Sequence, residues 1–174
     1  MSRLAVAVLL LASFATEALH VAVDRGPEEL VIRFELLTEL PEPVVSAVSS
    51  GARIEIDYPL RVYARRKMFP DRRVWKGVAQ STVTFDAITG RYLCQLIVNG
   101  STTVSREVDS IEVARQWLKA PPAVEISLPK GRRDAFLRVR VRAVFSSGTT
   151  WLVFPSTEGT DWVEVKLEAQ RAEE

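Results

Sequence analysis

Polar and apolar residues alternate with a period of two along most of the chain. From residue 91 onward, Tyr92, Cys94, Leu96 and Val98 face one way, and Arg91, Leu93, Gln95, Ile97 and Asn99 the other. That period is the strand signature. Asn99-Gly100 follows at once and Thr102 to Glu107 returns. Asn-Gly suits a two-residue hairpin turn because both residues accept positive φ. Upstream, Val83 and Phe85 alternate with Thr82, Thr84 and Asp86. Asp86 to Gly90 then reads as a longer hairpin loop, with Gly90 free to take a left-handed conformation. Residues 77–107 are therefore predicted to form a three-stranded antiparallel meander.

The same alternation predicts the other strands. Leu30, Ile32, Phe34 and Leu36 mark a first strand, ended by Pro41 and Pro43. Ile54, Ile56, Tyr58, Leu60 and Val62 mark a long one, with Arg53, Glu55, Asp57 and Arg61 opposite. Pro59 inside it predicts an edge position or a bulge. Val124 to Leu128 is a short strand, and Pro129-Lys130-Gly131 a turn. Leu137, Val139, Val141, Ala143 and Phe145 line one face of a further strand whose other face carries Arg138, Arg140 and Arg142. After a turn at 146–150, Trp151 to Phe154 extends the sheet. In the last strand Val163, Val165 and Leu167 point inward, and Glu164, Lys166 and Glu168 outward. Two short helices interrupt this pattern. One runs from Pro43 to Ser50 and stops at Gly51. The other runs from Ile111 to Lys119, capped by Asp109 or Ser110 and stopped by Pro121-Pro122. The fold expected is mainly β: an antiparallel β-sandwich, immunoglobulin-like in general architecture, with one or two short helices. The antibody-type Cys…Trp…Cys spacing is absent, and a partly open barrel is the alternative.

The N-terminus follows another logic. Met1-Ser2-Arg3 gives a positive start, Leu4 to Ala15 is uncharged and apolar, and small residues surround Ala15 and Ala18. This is the signal-peptide pattern, assigned to residues 1–18. A spanning helix needs roughly 20 apolar residues, so an uncleaved inner-membrane anchor is the alternative. Residues 19–174 form a single domain, ordered from about 28 to 169 by this reading. Its one cysteine, Cys94, excludes an intrachain disulfide; export without disulfides fits a bacterial periplasm. The formal net charge is +1, and removing residues 1–18 deletes one Arg and one Glu. A globally basic nucleic-acid binder is therefore not expected.

Several stretches in order resemble one family of exported bacterial proteins, domain-of-unknown-function family 4390. They are residues 36–51 leading into a strand over 52–64; Arg65-Arg66-Lys67 followed by Phe69-Pro70-Asp71; the run from Thr82 to Thr89-Gly90-Arg91-Tyr92; residues 110–119; and Leu128-Pro129-Lys130-Gly131 followed by Arg138-Val139-Arg140-Val141-Arg142. The resemblance implies export, one β-rich domain and no known activity. It also implies an accessory role beside an envelope or membrane-sensor system.

Catalytic chemistry finds little support in the residues. His20, the one histidine, sits beside the expected cleavage region, where a terminal residue would be a poor base. Cys94 lies in an apolar strand row and reads as a small hydrophobe. Asp86 opens a turn and reads as its cap. Glu35, Glu55 and Asp57 fall on polar strand faces. No His/Cys cluster or Gly-rich phosphate loop is present. No catalytic residue, metal or cofactor is therefore assigned.

The sharpest feature is basic. Arg61, Arg65, Arg66, Lys67, Arg72 and Arg73 interleave with Tyr63, Met68, Phe69 and Trp75. Arg65, Arg66, Lys67, Phe69, Arg72, Arg73 and Trp75 are the candidate partner- or anion-binding residues. Arginine forks suit phosphate and carboxylate, and Trp or Phe suits a membrane interface. The competing reading is a solvated charged loop over residues 65–73 whose Arg stems cover packed aromatics. The Arg138, Arg140 and Arg142 row can pair with Glu164 and Glu168 if those strands are neighbours. The expectation is a non-enzymatic exported interaction module. It would bind an envelope or inner-membrane protein through residues 65–75, or touch an anionic membrane surface, and would not bind nucleic acid. One alternative is a carboxylate-dependent hydrolase of envelope material, with Asp57 beside Glu55 or Asp86 in a pocket. Another is a structural subunit that adds a strand at an edge beside Pro59.

Overall fold

The alternating stretches fold into two antiparallel sheets in the computed structural model, which describes residues 18–26, 28–66, 68–129, 136–146 and 158–168. Residues 1–17 of the signal-peptide pattern assigned to 1–18, Lys67, the turn residues Lys130 and Gly131, the turn after Ser146 and the extension over 151–154 lie outside the described residues. In chain order the elements are β1 (Leu19–Arg25), β2 (Glu29–Leu36), α1 (Glu42–Ser50), β3 (Ile54–Ala64), β4 (Arg72–Asp86), β5 (Arg91–Val98), β6 (Ser101–Val108), α2 (Ile111–Lys119), β7 (Val124–Ser127), β8 (Leu137–Val141), β9 (Val144–Ser146), β10 (Glu158–Gly159) and β11 (Val163–Leu167). The smaller sheet is ordered β1-β2-β7. The larger runs β10-β9-β3-β4-β5-β6, with β8 also paired to β3 and β11 to β8. The result is the expected mainly β, antiparallel sandwich with two short helices.

β3 shows why the layers separate. Its burial alternates at every position. Ile54, Ile56, Tyr58, Leu60, Val62 and Ala64 are buried. Glu55, Asp57, Arg61 and Tyr63 point the other way. On the buried side, the Phe34 ring of β2 meets the Tyr58 ring with centroids 4.4 Å apart. The Tyr58 hydroxyl donates to the Leu118 carbonyl of α2 at 2.7 Å. The smaller sheet and α2 thus cover one face of the larger sheet, and the polar row of β3 lies on the opposite face.

Turn chemistry follows the sequence. Asn99 and Gly100 take φ of 51° and 83°, as a two-residue hairpin requires. Gly51 ends α1 at φ 82°. The Ser110 hydroxyl accepts from the Glu112 N–H and caps α2.

Four expectations change. Residues 19–25 form a strand in full register with β2, so ordered structure begins ahead of residue 28. The predicted strand over 137–145 divides into β8 and β9 at Arg142-Ala143. Pro59 is on no edge: β3 pairs with β4 on one side and with β8 and β9 on the other. It is tolerated because β8 pairs residues 60–64 and β9 pairs 55–57, so Pro59 falls opposite the break between them. The strand-addition edge beside Pro59 is therefore occupied, and the bulge in β3 lies at Val62/Tyr63 instead. Finally, the meander is longer than predicted, because β4 begins at Arg72.

Tyr58→Phe deletes the bond between the sheet and α2 and leaves a buried carbonyl without that donor. The expected cost is about 1–2 kcal/mol, read as a lower urea midpoint with an unchanged slope. An unchanged midpoint would refute the role assigned to this bond.

Candidate functional site

The β3–β4 hairpin carries the basic segment at one end of the larger sheet. Arg65 and Arg66 are exposed, and the Arg65 N–H donates to the Phe136 carbonyl at 2.9 Å. Met68 and Phe69 are 89% and 70% exposed, and Phe136 is 50% exposed. Arg72 and Arg73 do not belong to the loop. They pair on β4 with Ala64 and Tyr63, so the expected loop over 65–73 shortens to 65–71. Ladder partners share a face, which sends Arg72 and Arg73 to opposite sides of the strand. Trp75 pairs with Val62 and packs half-buried on the core. Its ring lies so close to Gly77 that a Cβ there would stand 2.2 Å from the indole Cη2. Trp75 thus anchors the strand, while Arg65, Arg66, Phe69, Arg72 and Arg73 remain at the surface. None of these four arginines is paired with a carboxylate among the described residues.

The polar face of the sheet continues the basic character. In one cross-strand row, Arg61 lies between Lys76 of β4 and Arg140 of β8. In the next, Tyr63 lies between Arg73 and Arg138, and Lys166 of β11 follows Arg138. Like charges directly opposite each other destabilise a sheet by some tenths of a kcal/mol per pair. Two carboxylates offset part of this: Glu164 lies 3.3 Å from Arg138 and 3.8 Å from Arg140, and Asp71 lies 3.3 Å from Arg138. The remainder gathers on one ring. The guanidinium carbons of Arg61, Arg142 and Arg140 stand 4.5, 5.1 and 5.4 Å from the Trp162 ring centre. Each such contact contributes about 0.5–1 kcal/mol at an exposed site. The Nε atoms of these three arginines are buried without a hydrogen-bond partner. Beside this face, Arg65, Arg138, Lys166, Glu168, Phe136 and Leu167 border a cleft of about 300 Å³.

Alternation gives the row of Arg138, Arg140 and Arg142 and makes its pairing with Glu164 and Glu168 conditional on the two strands being neighbours; β8 and β11 are neighbours, and Glu164 meets Arg138 and Arg140. Glu168 does not join them; its backbone carbonyl accepts from the Arg25 guanidinium. The contribution of Arg61 and Trp162 was not foreseen. Their phase in the alternation was visible, but their meeting requires β8 to lie between β3 and β11.

The catalytic candidates have structural settings. Cys94 is buried in β5, and burial pushes its thiol up to about 11. His20 is not a loose terminal residue: it pairs with Glu35 in the β1–β2 ladder and borders a separate cleft of about 460 Å³ with Phe34 and Pro121. Asp86 accepts from the Ile88 N–H at 2.8 Å and the Thr89 hydroxyl at 2.9 Å, and these bonds hold its carboxyl below its ordinary value. It caps its turn, as expected. Glu55 and Asp57 share a face, and the Gln80 amide donates to them at 2.7 and 3.0 Å. Burial first, and the Asp57 charge second, hold Glu55 above its ordinary value. Glu55, Asp57 and Asp86 line neither of the two clefts described above. Among the described residues no cluster of His, Cys, Asp or Glu has the make-up of a metal site. None of the described helices is long and apolar enough to cross a membrane.

A sequence model for a family described as "Domain of unknown function (DUF4390)" matches residues 13–150. No curated protein matches the chain, and no solved structure matches it.

Two outcomes follow from this geometry. Folded Cys94 keeps its proton to higher pH than an unfolded thiol, so rising pH favours the unfolded chain. The contribution of Cys94 is fully present below the ordinary thiol range of about 8.5 and is lost as pH rises towards about 11. Cys94→Ala should flatten that part of a denaturation-versus-pH profile, and an identical slope in both proteins would contradict it. Glu164→Gln removes the carboxylate shared by Arg138 and Arg140 at a half-exposed position. It should destabilise by about 0.5–1 kcal/mol, with a lower thermal midpoint and longer retention on a cation exchanger.

Proposed function

We propose that this chain, which belongs to the DUF4390 family, is a non-enzymatic, exported interaction module that docks peripherally on an anionic membrane surface. The docking element is the loop at residues 65–71 with its strand flanks. One observation carries this reading: Met68 and Phe69 stand almost free in water between exposed arginines at 65, 66, 72 and 73. An apolar tip bounded by cations matches the two layers of a lipid interface. The Met and Phe side chains enter the acyl boundary, and the guanidinium groups meet phosphate oxygens. Each basic side chain near such a surface contributes about 1 kcal/mol, so four supply about 4 kcal/mol. That range gives reversible docking. The leader-like residues 1–18 support export, and a bacterial periplasm would offer the inner membrane as the surface. An accessory role beside a membrane-sensor system fits a module of this kind.

The test is co-sedimentation of the full chain with phosphatidylglycerol-containing vesicles and with phosphatidylcholine vesicles. Wild type is expected to bind the anionic vesicles and release them as salt rises. Replacing Arg65, Arg66, Arg72 and Arg73 by Ser should weaken binding about a thousandfold, and Phe69→Ser should weaken it less. Equal binding by wild type and the arginine variant overturns the proposal. So does loss of crosslinking to an envelope protein in that variant without any vesicle binding, which would assign the loop to a protein partner.

A further inference from the structure

We infer a separate anion receptor on the polar face of the larger sheet: Arg61, Arg140 and Arg142, gathered against Trp162, hold a phosphate group. This does not rest on the docking loop and shares no residue with it. Arg61 and Arg140 are direct cross-strand partners, and Lys76 flanks Arg61 on its other side. The register thus sets three cations side by side across three strands. Arg142 closes on the same indole as Arg61 and Arg140.

Charge and donor geometry both point to a dianion. Arg61, Arg140 and Arg142 stand around the ring, with Lys76 beside Arg61 and Arg138 beside Glu164. Against these five cations stand two carboxylates, Glu164 and Asp71, and neither lies against Arg61 or Arg142. The cationic excess favours a doubly charged phosphate monoester over a singly charged carboxylate. The Nε atoms of Arg61, Arg140 and Arg142 are buried, which pins the three stems. The terminal nitrogens of Arg61 and Arg142 donate to no protein group among the described residues. A guanidinium presents paired donors in one plane, matched to two phosphate oxygens. Trp162 supplies a rigid apolar wall that keeps the forks from spreading apart, and its indole N–H reports on the site.

The phosphate can be carried by a soluble ester or by a lipid headgroup, and the experiment separates the two. Full-length protein labelled with ¹⁵N is titrated with inorganic phosphate, with glycerol 3-phosphate and with vesicles containing phosphatidic acid. Sodium chloride keeps the ionic strength constant. Saturable shifts are expected at the Nε–H of Arg61, Arg140 and Arg142 and at the Trp162 indole N–H. Saturation by the two soluble probes identifies a soluble ester, and saturation by the vesicles alone identifies a headgroup. Arg61→Lys and Arg142→Lys keep the charge but lose the fork, and each should weaken binding about tenfold. The fourfold loop variant, with Ser at residues 65, 66, 72 and 73, should bind phosphate like wild type, so failure of the docking reading and failure of this one are distinguishable. Shifts that grow linearly in every arm and match those from added chloride overturn the inference. Wild-type affinity in an Arg61→Lys, Arg142→Lys double variant does the same.

Discussion

Strict alternation along β3 is the constraint on which the rest of the structure depends. Its even-numbered residues from Ile54 to Ala64 are buried, and ladders hold it on both sides. A slip of one residue would turn six core side chains to water and bring Glu55, Asp57 and Arg61 inside. Register is therefore fixed by hydrophobic burial. Once it is fixed, the placement of every polar residue on the opposite face follows. The Tyr58 hydroxyl bond to the α2 carbonyl and the ring contact with Phe34 tie the same strand to the other layer.

That face is polarised along its length. At one end of β3, Glu55 and Asp57 share the Gln80 amide; at the other, Arg61 and Tyr63 sit among Arg73, Lys76, Arg138 and Arg140. Separating the two signs along a strand forgoes the pairing that would otherwise neutralise them. Glu164 and Asp71 relieve only part of the repulsion at the basic end. A near-neutral chain of net charge +1 thereby presents a strongly cationic region. Like charges brought opposite one another lower stability, so this region is where a bound anion would contribute most.

The exposed apolar tip adds a second unrelieved feature to the same end of the sheet. Met68, Phe69 and Phe136 are open to water beside Arg65, whose backbone is itself tied to Phe136. Trp75, by contrast, is consumed in packing over Gly77. The basic-aromatic segment thus divides into a buried anchor and an exposed tip. Only the tip is available to a surface.

The sequence by itself determined the local structure. Alternation located the strands, Asn99-Gly100 and Gly90 defined the hairpins, and Ser110 and Gly51 bounded the helices, because these signals act between residues a few positions apart. Alternation also gave the phase of Arg61, Arg138, Arg140, Arg142 and Glu164. What it left open was which strands are neighbours. β1 is not legible in the sequence because His20 and the short stretch around it lie next to the apolar leader, and its pairing with β2 is a tertiary choice. For Pro59 the sequence offers an edge or a bulge, because only the tertiary structure places the β8–β9 break opposite it. The gathering of three arginines on Trp162 likewise needed β8 between β3 and β11, a long-range pairing chosen by burial of the core. Period and turn chemistry are local and can be read from the chain. Strand order comes from the packing of distant apolar rows, and the cationic face exists only after that choice is made.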